Sequence, residues 1–369
     1  MARVAVAMSG GVDSAVAAAL LVKQGHEVIG LTMNLWPDWL PPADGATRTC
    51  CGVSAIDDAR AAAGVLGIRH YVLNLREAFE REVIGYFVDE YARGRTPNPC
   101  IACNQAVKFR VLLDKVDGLG CDLLATGHYA RIERNATTGR FELLRGADSR
   151  KDQSYVLCAL TPAQLERLRF PVGGYAKPQV RDLARRLGLP MADKPDSQEI
   201  CFVPSGHYGD LVSARRPDAA RPGPILDQAG AVVGAHAGIG RYTVGQRRGL
   251  GLAADAPQYV VDVDPARNAL IVGGPDALLR RHVLVDRVNW IVPPPPPRQV
   301  TVRVRHAAAD VPARLLLDGD GRVAVEFETP QRAAAPGQAV AFYDGARVLG
   351  GATIEREEMQ REEGGDERR

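Results

Sequence analysis

The stretch Ala-Met-Ser-Gly-Gly-Val-Asp-Ser, residues 7–14, decides the fold of this chain. Val4-Ala5-Val6 before it is typical of a short buried strand, and the Ala/Leu/Val-rich run Ala15–Lys23 after it favours a helix. The two adjacent glycines therefore lie in a strand-to-helix turn, at the edge of a predicted parallel sheet where open α/β folds bind ligands. Because glycines let the backbone close around an anion and the new helix is positive at its start, the turn predicts a phosphate-binding loop.

This loop is not a Walker A motif, because no Gly-Lys-Ser/Thr follows, and it lacks the Gly-x-Gly-x-x-Gly dinucleotide fingerprint. Its residues 9–14 resemble the pyrophosphate-binding loop of ATP pyrophosphatases, and an ordinary glycine-rich turn is the alternative. An aspartate beside phosphates suits Mg²⁺, since hard cations prefer carboxylate oxygens, although a helix-start acid is the simpler interpretation. The candidate ATP-binding residues of the loop are Ala7, Met8, Ser9, Gly10, Gly11, Val12, Asp13 and Ser14.

Further strands extend the β-α-β unit. Val28–Met33 and His70–Leu75 are predicted strands, and Asp122–Thr126 is another that ends in Gly127. Strand ends in this kind of sheet lie beside the nucleotide, so Met33 and Gly127 are candidate contacts of ATP. Ordinary packing at a strand end explains Met33 equally well.

Length, charge and cysteine content limit the class of protein. The 369 residues allow two or three domains, and the net charge of +2 means that any nucleic-acid contact must come from local basic patches. No apolar run approaches the length of a membrane span, and the chain begins directly with a strand, so we expect a cytoplasmic protein. Its seven cysteines favour reactive thiols or metal ligands over a disulfide framework.

Two segments carry candidate thiols. Gly94–Asn104 contains two prolines and the pair Cys100 and Cys103, and we predict a rigid loop there rather than a helix. Because Asn104–Val116 favours a helix, Cys103 would lie near a helix N-terminus, where the dipole lowers a thiol pKa. Cys201 lies in a second predicted loop that enters a strand.

After Pro204 helical periodicity fades, and glycine and proline become frequent. Tyr259–Val263 and Ala269–Val272 alternate like a hairpin. Several short strands with turn signals then predict a small β-barrel: Val300–Arg305, Ala313–Leu317, Val323–Glu328 and Ala339–Tyr343. The predicted domains are 1–205, 206–280 and 281–357, followed by a disordered charged tail over 358–369.

Taken in order, these segments resemble the tRNA-specific 2-thiouridylases of the MnmA type over nearly the whole chain. The matching stretches are Ser9–Ser14, Gly94–Asn104, Ala125–Arg131, Lys151–Val156, Asp193–Pro204, Tyr242–Leu252 and Gly337–Tyr343. The resemblance implies an α/β fold. An N-terminal, Rossmann-like parallel sheet domain with a pyrophosphatase loop would bind the adenine nucleotide, and a small central domain and a C-terminal β-barrel would follow.

The resemblance implies ATP- and Mg²⁺-dependent 2-thiolation of the wobble uridine of tRNA, releasing AMP and pyrophosphate. ATP would adenylate the C2 oxygen, with Asp13 among the catalytic residues. Cys201 would carry a persulfide and Cys103 would be the nucleophile, so that a disulfide forms between them. A cysteine desulfurase or a sulfur-relay protein would donate the persulfide sulfur.

The resemblance also implies which residues face the tRNA. Asn98, Pro99 and Cys100 would approach the target base, which must leave the anticodon stack. Cys100 stands where relatives often carry aspartate, and Ala7 where they usually carry glycine. Other predicted tRNA contacts are His128, Lys151, Asp152, Gln153, Arg305, His306 and Gln338.

Three alternatives stay open. Cys50, Cys51, Cys100 and Cys103 could build a zinc or iron–sulfur site in a tRNA sulfurtransferase of the same loop class. A small-molecule adenylating synthetase would explain the loop but not the paired thiols. A non-catalytic RNA-binding protein would use the barrel alone.

Overall fold

The computed structural model describes residues 1–40, 53–195, 200–203, 207–253, 256–292, 298–306, 308–317 and 322–356. Cys50, Cys51 and the tail predicted over 358–369 lie outside the described residues. The described chain builds a parallel sheet, a small mixed sheet and a closed barrel.

The N-terminal sheet is parallel and has the order β3-β2-β1-β4-β7. Its strands are β1 Arg3–Ala7, β2 Glu27–Asn34, β3 Arg69–Asn74, β4 Leu123–Thr126 and β7 Leu168–Arg169. The chain adds β2 and β3 on one side of β1 and then places β4 on the other. A crevice therefore opens between the carboxyl ends of β1 and β4, where ligands bind in such sheets.

Helices cover this sheet, and two of them contain π-helical turns. In chain order they are α1 Val12–Lys23, α2 Val53–Leu66, α3 Arg76–Phe79, α4 Tyr86–Ala92, α5 Pro99–Ala102, α6 Leu112–Gly118, α7 Pro162–Arg167 and α8 Lys177–Arg186. The π segment Glu80–Gly85 joins α3 to α4, and the π segment Cys103–Val111 joins α5 to α6. Such segments are frequent at functional sites.

The prediction of a rigid loop through Asn104 is wrong from Pro99 onward, because a helix begins there. The Asn98 side chain caps it by accepting hydrogen bonds from the backbone N–H groups of Cys100 and Ile101, at 3.1 and 3.2 Å. Proline at the first helical position has the right φ and needs no partner for a missing N–H. Cys103 accordingly lies one turn into a helix, near its N-terminus as predicted.

The central part contains a helix that the fading periodicity did not predict, α9 Tyr208–Arg215. It is followed by β8 Gly223–Leu226, β9 Val232–His236, β10 Tyr259–Asp264 and β11 Ala269–Gly273, in the order β10-β11-β8-β9. β10 and β11 pair antiparallel, which confirms the predicted hairpin.

Six C-terminal strands close into a barrel. They are β12 Leu279–Trp290, β13 Arg298–Arg303, β14 Val311–Leu317, β15 Val323–Arg332, β16 Ala339–Asp344 and β17 Arg347–Ile354. The ring runs β12-β15-β14-β13-β16-β17, and pairing of β17 with β12 closes it. Closure pairs both edges of the sheet, and Val302 and Phe342 lie fully buried inside.

A hairpin from the N-terminal part extends the barrel sheet. It consists of β5 Ala130–Arg134 and β6 Phe141–Arg145, and Leu144 of β6 lies opposite Arg347 of β17. The hairpin, which follows β4 in the chain, therefore connects the end of β4 to the barrel by strand pairing. Within the described ranges, no helix combines the length and apolar character needed to cross a membrane.

Candidate active site

The turn between β1 and α1 has the curvature of an anion cradle. Gly10 has a φ of +67°, and a Cβ added there would lie 2.3 Å from the carbonyl oxygen of Ala55. The Ser14 hydroxyl accepts a hydrogen bond from the backbone N–H of Ser9 at 3.2 Å and donates to the Gly11 carbonyl at 3.1 Å. Glycine is thus required at position 10, and Ser14 holds the loop closed.

The start of α1 is available to an anion. Gly11 is the N-cap residue, and no side chain caps the first turn of this twelve-residue helix. Its first backbone N–H groups and the positive end of its dipole face the crevice between β1 and β4. The side chains of Ala7, Met8 and Val12 are buried in the core, so these three candidates could contact a ligand only through their backbone.

The end of β4 packs directly on the loop. A Cβ at Gly127 would lie 2.6 Å from the backbone nitrogen of Ser14 and 2.7 Å from the carbonyl carbon of Asp13. The structure therefore places Gly127 beside the loop, as the sequence predicted. Met33 is buried at the carboxyl end of β2, and its contact with a nucleotide stays a prediction.

Asp13 forms a partly buried ion pair with a residue far along the chain. The Lys177 ammonium lies 2.8 Å from both carboxylate oxygens of Asp13, and the Tyr129 hydroxyl donates to one of them at 2.7 Å. Lys177 is the first residue of α8 and is only 7% exposed. Local sequence reasoning missed Lys177 and Tyr129, because neither belongs to the loop motif.

The residues around the loop fit Mg²⁺ through one carboxylate. Asp13 is the acidic residue of the loop, and the described residues contain no grouping of three or more acidic, histidine or cysteine side chains suited to hold a metal. A metal at this loop would therefore take further oxygen ligands from the substrate's phosphates and from water, which is the usual arrangement for Mg²⁺. The role of Asp13 toward Mg²⁺ stays a prediction.

A second lysine also reaches the loop. The Lys194 ammonium lies 2.5 Å from Asp58 Oδ2 and 3.4 Å from the carbonyl oxygen of Gly10. Lys194 belongs to the segment that leads to Cys201, and its side chain is one-third exposed. Ammonium groups therefore approach the loop both at Gly10 and at Asp13.

The two predicted reactive thiols border the same hydrophobic core. Cys103 and Cys201 are both partly buried and pack against this core, whereas Cys100 is exposed. Phe202, next to Cys201, packs edge-on against Phe79 and Phe87, with ring centroids 5.8 and 5.2 Å apart. These rings flank the π segment Glu80–Gly85, which packs on the helix that carries Cys103.

Two other cysteines are packing residues, as their apolar neighbours in the sequence suggest. Cys121 and Cys158 are buried, and burial raises the pKa of both thiols, that of Cys158 to about 12. A thiol with so high a pKa is not a nucleophile near neutral pH. Because Cys50 and Cys51 lie outside the described residues, the four-cysteine metal hypothesis remains open.

Two of the predicted tRNA contacts lie on the surface of the barrel. Arg305 and His306 are exposed just after β13, and the His306 ring is 6.1 Å from that of Tyr155. Lys151 and Gln338 are half-buried, Asn98 caps α5, and Pro99 is buried. The contact of these residues with tRNA stays a prediction.

The His128 side chain is buried, and its contact with tRNA stays a prediction. The side chain is buried between Phe109 and Phe170, and its Nδ1 lies 2.5 Å from Thr126 Oγ1. Burial, with a smaller effect of the Lys108 charge, holds the pKa of His128 well below 6.5. The imidazole is therefore neutral near pH 7 and supports the end of β4.

The side chains of Asp152 and Gln153 both accept hydrogen bonds from neighbouring parts of the protein. The Asp152 side chain is 3% exposed and accepts hydrogen bonds from Gly146 N, Ser154 N and Ser154 Oγ. The Gln153 side chain accepts a hydrogen bond from the backbone N–H of Tyr129 at 2.9 Å. Asp152 is buried and Gln153 is half-buried, and the contact of these two residues with tRNA stays a prediction.

Asp152 belongs to a charge cluster that joins the N-terminal part to the barrel. Its Oδ2 lies 3.3 Å from Arg303 of β13 and 3.6 Å from Arg145 of β6. Both arginines also pair with Asp310, at 2.7 and 2.8 Å, and the Arg145 guanidinium lies 3.6 Å from the ring centre of Tyr343. We call these four charged residues the interdomain charge cluster.

The chain combines three units: a parallel α/β domain with a glycine loop between β1 and α1, a small β-rich unit and a closed β-barrel. This arrangement defines an α/β nucleotide-binding class with a C-terminal barrel. Three family models match in the same order. They are described as the tRNA methyl transferase HUP domain, the tRNA methyl transferase PRC-barrel domain and the aminomethyltransferase beta-barrel domain, and they cover residues 2–205, 211–274 and 280–354.

The chain belongs to the tRNA-specific 2-thiouridylase (MnmA) family. It is 51% identical to the tRNA-specific 2-thiouridylase MnmA of Heliobacterium modesticaldum over 96% of this chain and 92% of that protein. It is 51% identical to the protein of the same name from Chloroflexus aggregans over 97% of this chain and 100% of that one. A solved 4-thiouridine synthetase–RNA complex with bound ATP is 17% identical over 59% of this chain and 51% of that chain, with a TM-score of 0.36, a likeness too low to carry an argument.

Proposed function

We propose that this chain is a tRNA sulfurtransferase that uses ATP to replace the C2 oxygen of the wobble uridine by sulfur. Membership of the 2-thiouridylase family supports this activity. The observation that carries the proposal is the pairing of two features in one chain. An anion-binding loop lies at the sheet edge, and two partly buried thiols, Cys103 and Cys201, border one core.

The loop activates the uridine. ATP lies with its phosphates on the start of α1, and the C2 oxygen attacks the α-phosphorus while the bond to pyrophosphate breaks. The oxygen of a uracil carbonyl is a very poor leaving group, and adenylation converts it into departing AMP. Asp13 would be the carboxylate that holds Mg²⁺, and the metal would neutralise part of the phosphate charge.

The two cysteines deliver the sulfur. The terminal sulfur of a Cys201 persulfide bonds to C2, and the C2–O bond breaks as AMP leaves. The Cys103 thiolate then attacks the Cys201 sulfur and the S–S bond of the former persulfide breaks. The outer sulfur stays on C2, and Cys103 and Cys201 form a disulfide, which two electrons from an external thiol must reduce before the next turnover.

Two partners are required by this chemistry. A persulfide donor, either a cysteine desulfurase or a sulfur-relay protein, must load Cys201, since the reaction consumes one sulfane sulfur. The tRNA is the other partner. Because the net charge is only +2, the protein holds it by local contacts, for which the exposed Arg305 and His306 are candidates.

The experiment is a reaction of the purified protein with unmodified tRNA, ATP, Mg²⁺, a persulfide donor (a cysteine desulfurase with cysteine) and a thiol reductant, followed by mass spectrometry of the digested nucleosides. We expect the mass change of oxygen replaced by sulfur at the wobble uridine, and only when ATP is present. Addition of a methyl group, or pyrophosphate release that needs no tRNA, would refute the proposal in favour of a methyltransferase or a small-molecule synthetase. Binding of tRNA with no ATP turnover would favour a simple RNA-binding protein.

A further inference from the structure

The loop that is proposed to hold ATP has no cationic side chain of its own. Ala7–Ser14 contains no lysine, arginine or histidine, and its charged residue is the acidic Asp13. A triphosphate carries several negative charges, and the pyrophosphate that leaves gains another as the bond to the α-phosphorus breaks. Backbone N–H groups supply only partial charges, so full cations must come from elsewhere in the chain.

Lys177 reaches the loop from α8. Its ammonium is buried and lies 2.8 Å from both oxygens of Asp13, in the first turn of α1. The backbone N–H of Lys177 donates to Asp148 Oδ2 at 3.1 Å, which fixes the start of α8 to the segment after β6. The ammonium thus lies beside the positive end of the α1 dipole, and the Asp13 carboxylate compensates its charge there.

Lys194 reaches the loop from the segment before Cys201. Its ammonium lies 3.4 Å from the Gly10 carbonyl oxygen and pairs with Asp58 of α2 at 2.5 Å. Gly10 is the residue with positive φ at the bend of the cradle. Lys194 therefore lies at the curved end of the loop, and Lys177 lies at its helical end.

We propose that Lys177 and Lys194 are the side-chain ligands of the pyrophosphate leaving group. This inference rests on the proposed function, namely that ATP is cleaved at this loop. When the α-phosphorus–oxygen bond breaks, its electron pair stays with pyrophosphate, and two ammonium groups beside the loop stabilise that charge. Asp13 orients Lys177, and a lysine ammonium can serve a carboxylate and a phosphate together because its three donors point in different directions.

The test compares the binding of ATP, inorganic pyrophosphate and AMP to Lys177→Met and Lys194→Met. Isothermal titration calorimetry with Mg²⁺, without tRNA or a sulfur source, measures each affinity. We expect ATP and pyrophosphate to bind about tenfold more weakly or worse, as loss of a charge-assisted hydrogen bond implies. AMP, which lacks the β- and γ-phosphates, should bind as it does to wild type.

Lys23→Met is the matched control. Lys23 is an exposed lysine at the last turn of α1, about 15 Å from Asp13 at 1.5 Å per residue. Its removal changes the net charge as much as the other two substitutions, and we expect it to leave all three affinities unchanged. The inference would be overturned if the lysine variants bound ATP, pyrophosphate and AMP more weakly by the same factor. It would also be overturned if Lys23→Met reduced these affinities as much as they do.

Removal of Lys177 leaves the Asp13 carboxylate without this partner, which could disturb folding. The double variant Asp13→Asn/Lys177→Met is therefore compared with Asp13→Asn, so that no uncompensated carboxylate remains. The inference requires a further tenfold loss of pyrophosphate affinity in the double variant, and an equal affinity contradicts it. If the lysine variants lose pyrophosphate affinity but the wild-type protein never thiolates tRNA, the lysines are still pyrophosphate ligands and only the thiolation proposal fails.

Discussion

Replacement of Asp152 by alanine should destabilise the protein without acting through a lost tRNA contact. The resemblance to 2-thiouridylases predicts that Asp152 faces the tRNA, whereas the structure buries it in the interdomain charge cluster. The two assignments differ in what the substitution changes. A surface contact affects tRNA affinity, and a buried cluster affects the free energy of unfolding.

The size of the effect follows from the contacts of the carboxylate. Asp152 accepts hydrogen bonds from Gly146 N at 3.0 Å, Ser154 N at 3.1 Å and Ser154 Oγ at 2.9 Å. Truncation leaves these buried donors and part of two guanidinium groups without an acceptor, and breaking a buried ion pair costs about 3–5 kcal/mol. Because Arg145 and Arg303 both still pair with Asp310, we expect the free energy of unfolding to fall by an amount near the lower end of this range, about 3 kcal/mol.

Urea denaturation, followed by tryptophan fluorescence, measures this loss as a fall in the transition midpoint at constant slope. Asp152→Asn keeps an amide oxygen that can accept from the two backbone donors, so we expect the free energy of unfolding to fall by only about 1–2 kcal/mol. Asp182→Ala is the control, because that exposed carboxylate pairs with Arg185 on the surface of α8 and should contribute less than about 1 kcal/mol.

The outcome that refutes this reasoning is specific. An Asp152→Ala protein with wild-type stability and with tRNA affinity reduced at least tenfold would place Asp152 in the tRNA interface. The interdomain charge cluster would then contribute nothing measurable to the free energy of unfolding. The expected result is the reverse, with normal tRNA affinity well below the denaturation midpoint.

Four further predictions concern the site and its surroundings. Gly127→Ala should weaken ATP binding at least tenfold, because its Cβ would lie 2.6 Å from the start of α1; calorimetry showing normal affinity contradicts this. Acidification should destabilise the protein, because the pKa of the buried His128 is lowered in the folded state and the unfolded chain therefore takes up the proton first as pH falls through 6.5. His128→Gln should reduce this loss of stability, as measured by thermal melts between pH 8 and pH 5. Cys103→Ser should abolish thiolation while Cys100→Ser retains part of it, and equal loss of activity together with loss of bound metal in both would favour the metal-site alternative. Arg305→Ala should reduce the salt slope of tRNA binding by about one phosphate contact, and an unchanged slope removes Arg305 from the interface.

Local sequence patterns were sufficient for most of the fold. The apolar runs that precede and follow the glycine loop predicted β1, α1 and β2, because strand and helix periods are properties of short segments. The predicted barrel formed for the same reason. The helix at Pro99 was missed because its two prolines suggested a loop, although an asparagine cap followed by proline is also a helix start.

The candidate site was only partly readable from the sequence. The glycine loop, Gly127 and the contrast between buried and partly exposed cysteines depend on local spacing, and the structure places them as expected. Lys177 and Tyr129 were missed, since each is more than a hundred residues from Asp13 and no motif links them. The burial of His128 was not readable either, because a polar residue at a strand end can point outward or inward, and only its packing neighbours decide which.

The sequence by itself predicted the α/β loop domain and the barrel, and it singled out the glycine loop and two cysteines as candidates, since these depend on residue type and short-range spacing. Only the tertiary structure decided which charges meet. The ion pair of Asp13 with Lys177 and the approach of Lys194 to Gly10 depend on helix and segment docking. So does the link from Asp152 to the barrel. Ion pairs act over a few ångströms in space whatever their separation along the chain, so the folded arrangement alone selects the partners.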